Sequence, residues 1–153
     1  MKELTEEAKK FWSQKEKEKG GKVDFFTFAT YIGRSNDKNV NLGGLLYTIK
    51  SGLYFEDFEK ENWLYKIMGR SQKYEKTEFG IDINEIEEIK TVSKGSALNC
   101  IAGSINDGET KEISRIGAFF FQPVTQIKMK TGYSLFFEIM RYREFFKAMR
   151  EKL

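Results

Sequence analysis

The sequence has no histidine, one cysteine and one proline in 153 residues. Each shortage removes a class of chemistry. Without histidine the chain lacks the commonest general base at neutral pH, the commonest metal ligand and any Ser-His or Cys-His nucleophile. One cysteine and no histidine leave ordinary zinc sites without ligands. Cys100 stands alone, so no intrachain disulfide forms, which suits a reducing compartment, and a buried, inert thiol is expected. No Gly-x-x-x-x-Gly-Lys-Ser/Thr or Gly-x-Gly-x-x-Gly run occurs, so phosphate-cradling loops of those kinds are missing. No apolar run approaches the ~18–20 residues that span a bilayer, and the acidic start Met1 to Glu7 lacks the apolar core of a signal peptide. The expectation is a cytoplasmic protein that is not transmembrane and not an enzyme, with no cofactor and no metal.

What is present is globular. Apolar residues make up 40% and charged residues 32%, and one domain accounts for the length. Aromatics reach 15%, led by 14 Phe, which favours pleated, half-buried surfaces. The net charge of +3 is too small to imply nucleic-acid binding. Its distribution is uneven: residues 53–89 carry 10 acidic against 5 basic side chains, and residues 126–153 carry 7 basic against 3 acidic. Two solvated faces of opposite sign, or a field that steers a partner, follow from that asymmetry.

Residues 4–19 read as a helix. Leu4, Ala8, Phe11 and Trp12 recur at helical spacing, Thr5 suits the N-cap, and Gly20-Gly21 ends it. From Ser13 to Lys19 the pattern is polar all round, so this half is expected to project into solvent. Val23 to Ile32 has strand composition, and a polar loop follows over 33–39. Leu45 to Lys50 and Leu53 to Phe58 flank Ser51-Gly52, a tight-hairpin signal. Trp63 to Met68 alternates as a strand does, as do Phe79, Ile81 and Ile83; Ile86 and Ile89 follow around an acidic turn, and Ile89 to Val92 extends again. Ser96 to Ala102 is compatible with a strand, Asn106-Asp107-Gly108 is a turn, and Ala118 to Phe121, apolar on both faces, reads as either a central strand or a covered one. Val124 to Lys130 and Tyr133 to Ile139 flank Thr131-Gly132 as a second hairpin. From Tyr142 the helical period returns, with Tyr142, Phe145, Phe146, Met149 and Leu153 on one face.

About seven strands in meander order, a closing amphipathic helix and an extra N-terminal helix give a mostly β, α+β fold: a small barrel or orthogonal sandwich capped by its last helix. Gly44-x-Leu46-Tyr47 followed by Leu53-x-Phe55 resembles the Gly-x-Leu-Tyr strand and Leu-x-Phe return strand of GRAM-type domains in the pleckstrin-homology-like (PH-like) superfold. Ile81 to Ile89 is similar to the strand–turn–strand near the middle of such domains, and residues 124–153 are similar to their last hairpin and helix. The resemblance implies a PH-like domain over 23–153, and residues 1–22 stand outside its common pattern as an N-terminal helical extension. It also implies a binding or scaffolding module for a protein partner or for another copy of itself, with phospholipid head-group binding as the alternative.

Candidate site residues follow. In PH domains that bind phosphoinositides, basic residues gather around the first loop and second strand; here those positions offer Arg34, Lys38 and Lys50. A multiply charged phosphate needs several charge-assisted bonds, and Asp37 lies among these three. Leu4, Phe11 and Trp12 either dock on the sheet or form a handle for a partner. Glu56, Asp57, Glu59 and Glu61, and again Glu85, Glu87 and Glu88, alternate with apolar residues, so both runs read as solvent faces rather than acid–base pairs.

Overall fold

The computed structural model describes residues 6–57, 77–113 and 123–153. Seven antiparallel strands form one sheet: β1 (Val23–Arg34), β2 (Leu42–Ile49), β3 (Gly52–Asp57), β4 (Glu78–Asp82), β5 (Ile86–Val92), β6 (Val124–Met129) and β7 (Ser134–Ile139). Helix α1 (Glu6–Lys19) precedes them, α2 (Lys94–Ile101) follows β5, and α3 (Tyr142–Lys152) closes the chain. The expectations for Trp63–Met68 and Ala118–Phe121 lie outside the described residues.

The strand order is β4-β3-β2-β1-β7-β6-β5. Strand β1 is long enough to serve two neighbours, its first part pairing with β2 and residues Ala29 to Arg34 with β7. Strands β4 and β5 are consecutive in sequence yet form opposite edges of the sheet. Only the 3-10 turn Ile83–Glu85 joins them, so the sheet must curl until its edges stand one short turn apart. Asp82 caps this turn by accepting from Asn84 N–H at 2.9 Å. No ladder joins β4 to β5 among the described residues, so the barrel expected from sequence is not closed.

Alternation along the strands sorts side chains onto two faces. The inner face carries Leu46, Leu53, Phe55, Ile127, Leu135, Phe137 and Ile139, with Tyr31 and Phe79 packed against them. Helix α3 caps this core with Phe145 and Met149, while Phe146 is only partly buried. The outer face is covered twice: α1 lies over Phe26, Tyr47 and Ile49, and α2 lies over Ile32, Val92, Val124 and Phe136.

Helix α2 corrects the strand reading of Ser96 to Ala102. Its buried side chains, Ser96, Ala97, Cys100 and Ile101, repeat at helical spacing, and the Ser93 side chain caps it by accepting from Ser96 N–H at 3.2 Å. The second hairpin turns where expected but through three residues, Lys130, Thr131 and Gly132, with Met129 N–H donating to Tyr133 O at 2.8 Å. In the first the turn is Lys50-Ser51, one residue earlier than expected, with Lys50 at φ 54°. Gly44, one of the residues carrying the resemblance, sits where a Cβ would collide with the Glu56 carbonyl across the β2–β3 ladder.

Candidate functional site

Helix α1 does not project into solvent beyond Trp12. Its stripe continues through Lys15 and Lys19, one and two turns further on. The Trp12 indole is buried against Phe26 and Tyr47, with ring centroids 4.9 and 5.3 Å away. Lys15 lays its stem along the same face and brings Nζ to 2.7 Å from Glu56 Oε1. The other Glu56 oxygen accepts from Tyr47 Oη at 2.8 Å. Lys19 Nζ lies 4.7 Å above the Tyr54 ring, and Glu16 Oε2 accepts from Val23 N–H at 2.8 Å. Phe11 is half-buried, and Leu4 lies outside the described residues.

This overturns the solvent-face reading of the first acidic run where it is described. Glu56 is 2% exposed and Asp57 4% exposed. The reason is long-range: the cation that makes burial of Glu56 tolerable comes from 41 residues earlier. Burial opposes the charge on Lys15, but the hydrogen bond and charge of Glu56, with Glu78 and Glu18 nearby, outweigh it and raise its pKa above 10.5. Burial, then Glu56, pushes the Tyr47 phenol upward too. Glu85, Glu87 and Glu88 are exposed, as expected.

Among the described residues, the outer face has a window between α1 and α2. Phe26 lies under α1 and Ile32 under α2, and on the same side of β1 between them stand Phe28 and Thr30. On β7 the same side presents Glu138, and Met140 follows just beyond the strand end. Phe28 is 51% exposed and Met140 72%. The two are tied together by Met140 N–H donating to Phe28 O at 3.0 Å. With Ala29, Thr30, Gly43, Gly44 and Glu138 they line a trough of about 500 Å³. Sequence reasoning missed both residues. Nothing in the sequence separates Phe28 from Phe26, two residues earlier on the same face; only the reach of α1 does.

Arg34, Lys38 and Lys50 do not converge. The β1–β2 register pairs Val23 with Ile49 and Tyr31 with Leu42, so Lys50 and the Arg34–Lys38 loop sit at opposite ends of that ladder. All three are exposed. Arg34 stacks 3.9 Å above the Tyr133 ring, in a cleft shared with Ser35, Asn36, Asp37, Thr131 and Gly132. Three backbone donors of that loop are committed within the domain. Ser35 N–H goes to Ser134 O at 2.9 Å, while Asn36 and Asp37 N–H cap α2 through Cys100 O and Ile101 O at 3.2 and 2.9 Å.

Beneath that loop is a buried polar network. The Asp107 carboxylate accepts from Ser134 Oγ at 2.7 Å and from Cys100 Sγ at 3.4 Å. Gln126 donates to Ser134 Oγ at 2.9 Å and to Asp107 O at 3.0 Å, and accepts from Thr110 Oγ1 at 2.5 Å. These bonds fasten α2 and the turn at Asp107–Glu109 to β6 and β7. Burial, reinforced by the Asp107 hydrogen bond and charge, lifts the Cys100 pKa to about 12, which keeps the thiol protonated and unreactive.

No protein-family model and no curated protein matches this chain. Among solved structures it is similar to the crystal structure of the C-terminal domain of an unknown protein from Leishmania infantum, at 11% sequence identity and a TM-score of 0.53, over 94% of each chain. That likeness concerns the fold. None of the described helices is long and apolar enough to cross a membrane.

Proposed function

We propose that this chain is a non-catalytic binding module of the PH-like superfold, of the GRAM type, which works in the cytoplasm by docking a protein partner at the Phe28–Met140 window. Three features support the PH-like reading: the curled seven-stranded order, β4 and β5 at opposite edges one turn apart, and α3 capping the inner core. The observation that carries the docking reading is the adjacency of two large, exposed apolar side chains over a trough bordered by Gly43 and Gly44. Clustered exposed apolar side chains mark interaction sites more often than scattered ones do. The partner that fits presents an apolar side chain to the trough and polar groups to Thr30 and Glu138.

Phospholipid head-group recognition is the weaker reading, because Ser35, Asn36 and Asp37 of the loop that would serve it already donate their N–H groups within the domain and Lys50 lies at the far end of the ladder. A photoreactive residue in place of Thr30 tests the proposal in cells. A protein adduct that disappears in Phe28→Ser with Met140→Ser is the expected result. Adducts unchanged by that pair of substitutions would overturn it.

A further inference from the structure

We propose that the sheet face beneath α1 also accepts α1 from a second copy of this chain, so that two copies exchange N-terminal helices about Gly20-Gly21. Of the 14 residues of α1, the two that are buried are Trp12 and Lys15. A helix of this length is marginal on its own in water, so α1 depends on the face that receives it. It joins β1 through residues 20–22, where Gly20 holds φ 75° and both glycine N–H groups return to Glu16 O. Alanine or any larger residue at position 20 would be strained in this closed form and relieved once the connection opens.

The receiving face is selective. When α1 leaves, the Glu56 carboxylate loses the Lys15 ammonium, and the Tyr47 and Phe26 rings lose Trp12. An occupant that restores these contacts brings an indole-sized ring and a cation one turn apart on one helical face. Trp12 and Lys15 have that spacing, and a second copy supplies it. Exchange reproduces each of these contacts and alters only the hinge, the condition under which swapping is cheap. This inference does not depend on the Phe28–Met140 window, and substitutions there leave it untouched.

The test uses charge reversal in the full chain. Lys15→Glu alone sets two carboxylates together, and Glu56→Lys alone sets two ammonium groups together. Unfolded jointly and refolded as an equimolar mixture, the two variants repair both contacts only by trading helices. The expected result is a mixed species of twice the single-chain mass by light scattering, absent from either variant refolded alone. A mixture that keeps the single-chain mass overturns the proposal, and so does doubling in either variant alone, which would mean association through another surface. Should the single variants fail to fold, Gly20→Ala with Gly21→Ala in the otherwise unaltered chain provides the reading. A dimer that grows with concentration is expected there, and single-chain mass throughout would refute the exchange.

Discussion

Lys15 and Glu56 form a buried ion pair at 2.7 Å that joins the N-terminal helix to the third strand of the sheet. Tyr47 completes it from the second strand. A pair like this stabilises less than its short distance suggests, since both charges lose water; breaking it from one side is what costs. Lys15→Met is expected to lower stability by about 3–5 kcal/mol, because it takes the Lys15 ammonium away from the buried Glu56 carboxylate. Lys15→Met combined with Glu56→Leu should recover most of that loss, since the double change removes both charges and keeps apolar volume. Urea midpoints of the two variants check this. Equal loss in both would mean that apolar packing, not the stranded carboxylate, is what the helix depends on.

Alkaline pH should weaken the fold from several places at once. Cys100 is raised from 9.0 to about 12 by burial and then Asp107, and Tyr31 from 10.0 to about 12 by burial and then Asp37. Tyr47 and Lys15 are raised as well. In each case the folded pKa exceeds the unfolded one. The stabilisation is therefore complete below the unfolded pKa and is lost as pH rises towards the folded value. Loss should begin near pH 9 with the cysteine and steepen above pH 10 as the unfolded tyrosines ionise. Urea midpoints between pH 7 and 11 measure it. Tyr47→Phe should flatten the decline above pH 10, and an unaltered slope would show that Tyr47 ionisation is not coupled to folding.

The closing helix gives the clearest packing prediction. Phe145 is fully buried in the inner core, whereas its neighbour Phe146 is partly exposed. Phe145→Ala is expected to cost about 3–5 kcal/mol, near the upper range for core truncations, and Phe146→Ala distinctly less. Thermal or chemical denaturation of both variants decides it. Similar small losses would detach α3 from the core.

How far the sequence reveals this architecture depends on whether partners are near or far along the chain. Thr131-Gly132 and the Tyr142–Phe145–Met149 face declare themselves because turn chemistry and helical period are local. Ser96–Ile101 hides its helix because its buried residues include the small Ser96, Ala97 and Cys100, which leave little hydrophobic contrast for a period to show. The capping role of Ser93 was the better signal there. Glu56 looks like a solvent-facing acid because Lys15 lies 41 residues away, and only the folded sheet brings them together. Phe28 is hidden in the opposite sense. Its alternation with Phe26 predicts cover, and exposure appears only once α1 is seen to end its reach at Phe26.

Arg34, Lys38 and Lys50 are the residues by which a phosphoinositide-binding role stands or falls. Arg34 and Lys38 share the first loop, where Asp37 stands between them and Arg34 stacks on Tyr133. Lys50 is at the far end of the β1–β2 ladder. A head group at the loop would meet two cations, one carboxylate and backbone N–H groups already committed to Ser134 and to the end of α2. Exposed charges of that kind are screened beyond ~8 Å at physiological ionic strength. The expected outcome is no head-group-selective binding to phosphoinositide vesicles at about 0.15 M salt, with at most a weak attraction that fades as salt rises. Vesicle pelleting across a panel of phosphoinositides measures it. Saturable binding to one of them, abolished by Arg34→Ala with Lys38→Ala, would make the loop the working surface and displace the protein-docking reading. Saturable binding that survives those changes but is lost in Lys50→Ala would move the lipid site to the other end of the ladder, beside Gly21 and the start of β3.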